Sequence, residues 1–230
     1  MSKNPLSYIL FFVASFLAIL AVIMQNETLL LIAKPIVLPA ISFYYFQMVK
    51  GKINWLFVLV LSFNFLSDII VSFNLHYEGI PTAILNMISY MIFIYFSVKE
   101  MSLRKISISS FLYFLLIFLS CFILMRTVLS LLITVDSMVF YVYIAYGVIL
   151  SLLTTVIVSN YINNQNIRFY YALVMCICFL VVDVFYAIYT FYVDLEIFMI
   201  FNQMALYGSL YYMTMYMISK SISEEKILEE

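Results

Sequence analysis

The chain has 230 residues, of which 67% are apolar and 10% are charged, and its formal net charge is −1 at pH 7. Globular domains are closer to half apolar and a quarter charged, so this composition indicates a polytopic membrane protein and leaves no stretch for a separate soluble domain. The charge offers no basic surface for nucleic acid. Cys121, Cys176 and Cys178 lie in apolar segments without metal-ligand or disulfide spacing.

Eight apolar segments approach the ~20 residues that a helix needs to cross the hydrocarbon core. We therefore predict an all-α transmembrane bundle of eight helices at residues 1–219, followed by a short charged tail at 220–230. The first segment lacks a small-residue cleavage pattern and is interpreted as a retained span. Arg126 interrupts the fifth, so Val128–Val135 fits either its last turns or an interfacial piece. In chain order the predicted spans are Leu6–Met24, Leu29–Val49, Trp55–Leu75, Ile80–Val98, Ser107–Leu132, Ser137–Ser159, Arg168–Phe191 and Leu195–Ile218.

The charges in the connecting loops predict the direction of these spans. With the amino terminus in the cytoplasm, nine of the eleven lysine and arginine residues fall in inside segments, and the outside loops contain none. This pattern follows the positive-inside rule and predicts that both termini are cytoplasmic. His76 falls in an outside loop, where an interfacial position is favoured over a catalytic one. The lack of eukaryotic sorting signals favours a bacterial inner membrane.

Polar residues inside the spans share one predicted depth, on the order of 8–12 Å below the outer surface. Asn64 lies one turn before Asp68, and Tyr207 one turn after Gln203, so each pair shares a helix face. Ionisable groups within spans usually face the bundle interior and mark functional sites, which predicts one polar cavity in the outer half of the membrane. The residues that share this depth are Lys34, Asp68, Asn86, Arg126, Asp183, Asn202 and Gln203.

Two carboxylates and a cation in one cavity suit general acid–base chemistry, because unlike surroundings can separate a proton donor from an ionised partner. The sequence has no glycine-flanked serine elbow, no His-x-x-x-His motif and no phosphate-binding glycine loop. We predict no metal and no cofactor. A purely structural interpretation also stands, in which Lys34 pairs with Asp68, Arg126 pairs with Asp183, and the amides join helices by hydrogen bonds.

The layout of the spans resembles the YhhN-like lysoplasmalogenases. The similarity is carried by the Lys34-Pro35 pair early in span two, the acid after a Phe-rich run in span three (Phe63–Asp68), and the acid Asp183 in span seven. It implies hydrolysis of the vinyl-ether bond of a lysoplasmalogen, with a single-tailed lysophospholipid from the bilayer as the substrate. Asp68 and Asp183 would be catalytic, one as general acid and the other stabilising the cation and activating water, with the order left open.

The remaining polar residues are predicted to contact the substrate, with Lys34 holding the phosphate or tuning the acids. These substrate-binding candidates are Lys34, Asn64, Asn86, Arg126, Asn202, Gln203 and Tyr207. Flanking positions depart from the family pattern: Ser67 and Val182 precede the acids where glycine and serine are common, and Met87 and Tyr211 replace a histidine and a glutamine.

Two other functions remain open. One is a proton- or ion-coupled transporter, since Phe65–Asp68 faintly echoes Leu180–Asp183 and both acids occupy the third span of a four-span half. The other is a non-catalytic lipid-binding protein of the same fold, which the departures at the flanking positions would permit.

Overall fold

A computed structural model of the chain describes residues 5–49, 52–72, 79–101, 108–130, 137–193 and 195–229. Within these ranges all regular structure is helical, which confirms the predicted all-α class and its eight helices. The predicted ends of the third and fifth spans, Leu75 and Leu132, fall outside the described residues, as does His76. The helices are α1 (Leu6–Ile23), α2 (Glu27–Val49), α3 (Trp55–Ser72), α4 (Gly79–Lys99), α5 (Ile108–Leu129), α6 (Ser137–Asn163), α7 (Ile167–Phe191) and α8 (Glu196–Glu229).

Five helices, α1, α2, α4, α6 and α7, are each long and apolar enough to cross a membrane. In α3 and α5 the apolar stretches that the structure describes are shorter, Trp55–Val71 and Leu112–Thr127. Large apolar side chains also cover the outside of the bundle, for example Phe16, Phe43 and Leu116, each more than half exposed. An apolar exterior suits lipid, and the chain has a multi-pass membrane architecture.

Six helices contact one another in a closed ring, in the order α2, α3, α4, α6, α7, α8 and back to α2. Helix α1 packs outside the ring against α2 and α8, and α5 packs outside it mainly against α6. Helix α2 runs without a break through Pro35 and Pro39. The inner faces of the ring helices therefore surround a shared interior, while α1 and α5 thicken its wall.

The ring has an internal twofold pattern. Each contact between neighbouring helices has an equivalent four helices further along the chain, when α1 is counted again after α8. The contact α2–α3 corresponds to α6–α7, α3–α4 to α7–α8, and α4–α6 to α8–α2. The residues follow the same pattern, because Asn86 comes 18 residues after Asp68 and Asn202 comes 19 residues after Asp183. The two four-helix halves thus place like residues at equivalent positions of the ring.

One end of the interior is closed by packed side chains. The rings of Tyr45 and Phe57 lie 4.7 Å apart, and Phe93 packs next to Phe57 and Tyr216 with centroid separations of 6.4 and 6.3 Å. Fully buried aromatic side chains of this size exclude water from the space between the helices.

An ion-pair cluster lies beyond these rings and joins the two halves. Glu100, after α4, receives Lys220 Nζ at 2.8 Å and Arg168 Nε at 3.5 Å. Lys220 also lies over the Phe96 ring and is only 6% exposed. The predicted boundary at residue 220 therefore falls within α8, which continues to Glu229. Residue 220 belongs to the packed bundle, because its charge is neutralised there by Glu100.

Candidate functional site

A cavity of about 180 Å³ occupies the interior of the ring, away from the aromatic end. Seven of the eight helices contribute to its lining, which is apolar apart from a limited set of polar side chains. Six of the nine residues predicted for the site lie in this lining: Lys34, Asp68, Asn86, Asp183, Asn202 and Gln203. Residues from five helices, far apart in sequence, thus meet as the shared depth predicted.

Asp68 and Lys34 form an ion pair across α3 and α2. Lys34 Nζ lies 3.6 Å from Asp68 Oδ1, and the two side chains are 10% and 22% exposed. A carboxylate in an apolar span is costly unless a cation compensates its charge, and Lys34 supplies that charge. The pairing expected under the structural interpretation is therefore present, and it lies on the cavity wall where a ligand can reach it.

Asp183 has a different partner. Tyr146 Oη, on α6, donates to the Asp183 carboxylate and lies 2.9 Å from both Oδ1 and Oδ2. Tyr90 Oη lies 2.9 Å from Tyr146 Oη, so a hydroxyl chain leads away from the acid. Both tyrosines are buried, at 8% and 5% exposure. The second acid is thus held by a hydroxyl, whereas the first is held by an ammonium group.

The sequence does not single out Tyr146, because tyrosine is common in this chain, with 20 copies, and a tyrosine within a span is typical of packing. The internal repeat contained a usable signal. Lys34 lies on the helix before Asp68. Adding the sequence separation between Asp68 and Asp183 to position 34 gives position 149, which lies within one turn of Tyr146. A search of α6 for a polar partner of Asp183 would have found it.

Buried polar atoms on α8 lack protein partners on this side of the bundle. Gln203 is 3% exposed and lines the cavity, and its Oε1 has no hydrogen-bond partner in the described part of the chain. The same holds for Tyr207 Oη, one turn further along α8. Asn202, in contrast, donates from Nδ2 to the Val182 carbonyl at 2.8 Å. Unsatisfied buried polar groups are costly, so a ligand hydroxyl or water is expected at Gln203 and Tyr207.

Three predicted substrate contacts do not line this cavity: Asn64, Arg126 and Tyr207, of which Tyr207 is buried on α8 one turn after Gln203. Asn64 shares a face with Asp68 but donates from Nδ2 to the Val60 carbonyl at 2.8 Å, within its own helix, and it does not line the cavity. Arg126 is exposed and lines a second cavity between α5 and α6. In the described residues Arg126 forms no ion pair with Asp183, because the cavity of α5 and α6 lies outside the ring.

The flanking positions that depart from the family pattern have distinct surroundings. Ser67 lines the cavity beside Asp68, so a polar group is present there. Val182 contributes its carbonyl, which accepts from Asn202. Tyr211 packs against Phe12 and Tyr8 at the α1 side of the bundle. The cavity therefore contains both acids, the ammonium group and three amides, while Tyr211 serves packing.

The groups that meet in the cavity suit proton transfer and the stabilisation of a developing cation. Within the described ranges, no three histidine, cysteine or acidic side chains are grouped as metal ligands. In comparisons with known proteins, no family model, no curated protein and no solved structure matches the chain.

Proposed function

We propose that the chain is a membrane-embedded lipid hydrolase that cleaves the vinyl-ether bond of a lysoplasmalogen to a fatty aldehyde and a glycerophospho-base. The observation that carries the proposal is the unlike pairing of two carboxyls in one cavity. Asp68 faces an ammonium group, and Asp183 faces a hydroxyl. Vinyl ethers are cleaved by acid, and such a reaction needs one proton donor and one anion to stabilise the oxocarbenium ion.

The pairing assigns the two roles. Lys34 balances the charge of an ionised Asp68, which makes Asp68 the anion of the pair. Asp183 has no cation within ion-pair distance among the described residues, and a carboxyl that carries a proton avoids the cost of a buried unpaired charge. Asp183 is therefore the general acid, and Tyr146 holds its carboxyl in position.

The proposed reaction balances with one water. Asp183 transfers its proton to the vinyl carbon remote from the ether oxygen, which leaves an oxocarbenium ion beside the Asp68 carboxylate. Asp68 then takes a proton from the water that attacks this ion, which gives a hemiacetal. When the hemiacetal C–O bond breaks, Asp68 gives its proton to the leaving glycerol oxygen, and the hemiacetal hydroxyl loses its proton to Asp183 as the aldehyde forms. Asp68 is then ionised and Asp183 protonated, as at the start.

The unsatisfied groups on α8 support a lysolipid as the substrate. Gln203 Oε1 lies on the cavity lining and needs a donor, and the buried Tyr207 hydroxyl one turn further along α8 also lacks a partner among the described residues. A single-tailed glycerolipid has a free hydroxyl at the central glycerol carbon, whereas a lipid with a second acyl chain has none. The positive-inside pattern supports a site in the outer half of the membrane, with both termini in the cytoplasm. The lack of eukaryotic sorting signals supports a bacterial inner membrane as its location.

The deciding experiment offers the purified protein, in mild detergent, a vinyl-ether lysolipid and its ester analogue, and measures free aldehyde. We expect aldehyde from the vinyl ether alone and its loss in Asp68→Asn and Asp183→Asn. Ser120→Ala, on the outward α5 helix, is the matched control and keeps full activity, because its hydroxyl donates to Leu116 O within the same helix and does not line the cavity. Equal turnover of the ester, or wild-type rates in either Asn variant, would contradict the mechanism.

A proton- or ion-coupled transporter is the second candidate, and the twofold ring favours it. Carriers are often built from repeats around a central site, and here each half supplies one acid. This function requires uptake into proteoliposomes driven by a pH gradient and abolished by Asp68→Asn. Lipid binding by the wild-type protein with neither aldehyde release nor uptake would instead identify a non-catalytic lipid-binding protein.

A further inference from the structure

The second cavity lies between α5 and α6, outside the ring, and has a volume of about 470 Å³. Its walls are largely apolar and come from Phe122 and Met125 on α5 and from Phe140, Ile144 and Gly147 on α6, with Ser130 also in the lining. Arg126 brings a positive charge to this lining and is itself exposed. An apolar chamber with a guanidinium group at its border matches an amphiphile that has an anionic group next to an apolar chain.

We propose that this cavity is a binding site for a phosphate-bearing, single-chain amphiphile from the bilayer. Its phosphate would lie at Arg126 and its chain against Phe122, Phe140 and Ile144. A guanidinium group binds phosphate through two parallel hydrogen bonds, and an acyl chain fills space that water would occupy unfavourably. A membrane supplies this occupant at high local concentration, and α5 borders the lipid, with Leu116 and Ile123 exposed.

The position of Met125 connects this site to the ring interior. Met125 lines both cavities and is 4% exposed, so its side chain forms part of the wall between them. Met125 on α5 lies close to Gly147 on α6, where an added Cβ would lie 3.3 Å from Met125 Cβ. Methionine is flexible, and a change of its rotamer would open a path between the two spaces. The binding site does not depend on the proposed function. That the amphiphile at Arg126 is also the hydrolase substrate rests on the proposed function.

The test uses a photoreactive lysophosphatidylcholine with a saturated alkyl ether and a diazirine in its chain, so no catalysis is needed. We expect cross-links in the α5 and α6 peptides that contain Phe122, Phe140 and Ile144. Arg126→Ala should lower the cross-linking yield at subsaturating probe about tenfold, and Arg126→Lys should lower it by less than about threefold. Asp183→Asn should still cross-link, which separates this site from the failure of the proposed hydrolase.

Two controls make the result specific. An alkyl glycerol ether with the same diazirine but without phosphate should cross-link equally to wild type and Arg126→Ala. Ile144→Trp, which fills the cavity, should reduce the cross-linking of both probes while its melting temperature stays near that of wild type. Cross-links confined to other helices, or an unchanged yield in Arg126→Ala, would overturn the proposal.

Discussion

At the scale of single residues, the two acids differ because of their neighbours. Asp68 and Asp183 are the same side chain at equivalent positions of the two halves, yet one contacts Lys34 and the other Tyr146. An ammonium group stabilises an anion by charge, whereas a hydroxyl orients a carboxyl without adding charge. Such an asymmetry at two otherwise equivalent positions is what acid–base chemistry requires.

Tyr146→Phe tests the positioning of Asp183. The variant keeps the ring that packs against Tyr90 but removes the hydroxyl that donates to the carboxyl. We expect kcat for vinyl-ether cleavage to fall roughly 10- to 100-fold with KM little changed, since the loss concerns orientation during proton transfer. Tyr90→Phe is the matched control and should lose less, because it contacts Asp183 only through Tyr146. Equal losses in kcat, or a fall in melting temperature that accounts for the loss, would contradict this role.

Lys34→Met tests the ion pair at Asp68. Removing one partner of a buried pair costs on the order of 3 kcal/mol of unfolding free energy, because a carboxylate is left without its cation. The double variant Lys34→Met/Asp68→Leu should recover most of this stability while remaining inactive. Unfolding in mixed detergent micelles would measure the three free energies. A single variant as stable as wild type would show that Lys34 does not compensate Asp68.

At the scale of elements, the start of α4 is shaped by its contact with α6. A Cβ added to Gly79 would lie 2.5 Å from Tyr143 Oη, which is closer than such atoms approach. Both residues line the cavity, so a side chain at position 79 must displace the Tyr143 ring. Glycine at position 79 therefore lets the Tyr143 hydroxyl approach the start of α4 closely.

Gly79→Ala is therefore expected to move Tyr143 and to change substrate affinity. We expect KM to rise several-fold, with the melting temperature nearly unchanged because the tyrosine side chain can swing aside. Gly208→Ala is the matched control, since its Cβ would meet Cys178 Sγ at an ordinary 3.4 Å. That variant should keep its KM and be as stable as wild type or up to ~1 kcal/mol more stable, because alanine favours helix. An unchanged KM in Gly79→Ala would contradict the displacement of Tyr143.

At the scale of the whole molecule, the ring joins two equivalent halves around one cavity. The cavity opens away from the aromatic rings of Tyr45, Phe57 and Phe93, and Glu100 ties α4 of the first half to α7 and α8 of the second. Asn86 lies about 20 Å along α4 from Glu100, since a helix rises ~1.5 Å per residue. The polar interior and the ion-pair cluster thus occupy opposite ends of the bundle.

This arrangement, together with the positive-inside pattern, predicts the sidedness of the whole protein. Single cysteines at positions 3 and 226, in a variant whose three native cysteines are replaced, should be labelled by a membrane-impermeant maleimide only after the cells are opened. Both positions should behave alike, because eight spans return the chain to its starting side. A cysteine at position 27 is the control and should be labelled in intact cells. Labelling of only one terminus in intact cells would exclude eight spans.

The sequence by itself determined the helix content, the number of helices and the set of acids. Hydrophobicity over about 20 residues is a local property, so the eight apolar segments could be read along the chain, as could the presence of Lys34, Asp68 and Asp183 within them. Periodicity placed Asn64 and Asp68 on one face. These features depend on neighbours within a few turns, which is the range that sequence patterns describe.

Only the tertiary structure decided which side chains meet. Tyr146 contacts Asp183, Arg126 lies in a separate cavity, Asn64 bonds to its own helix, and Lys220 is buried against Glu100. Each outcome depends on which helices are neighbours and on how far each is rotated about its axis. In a bundle whose exposed and buried faces are equally apolar, sequence carries little information about that rotation, so packing between distant segments sets the partners of every polar group.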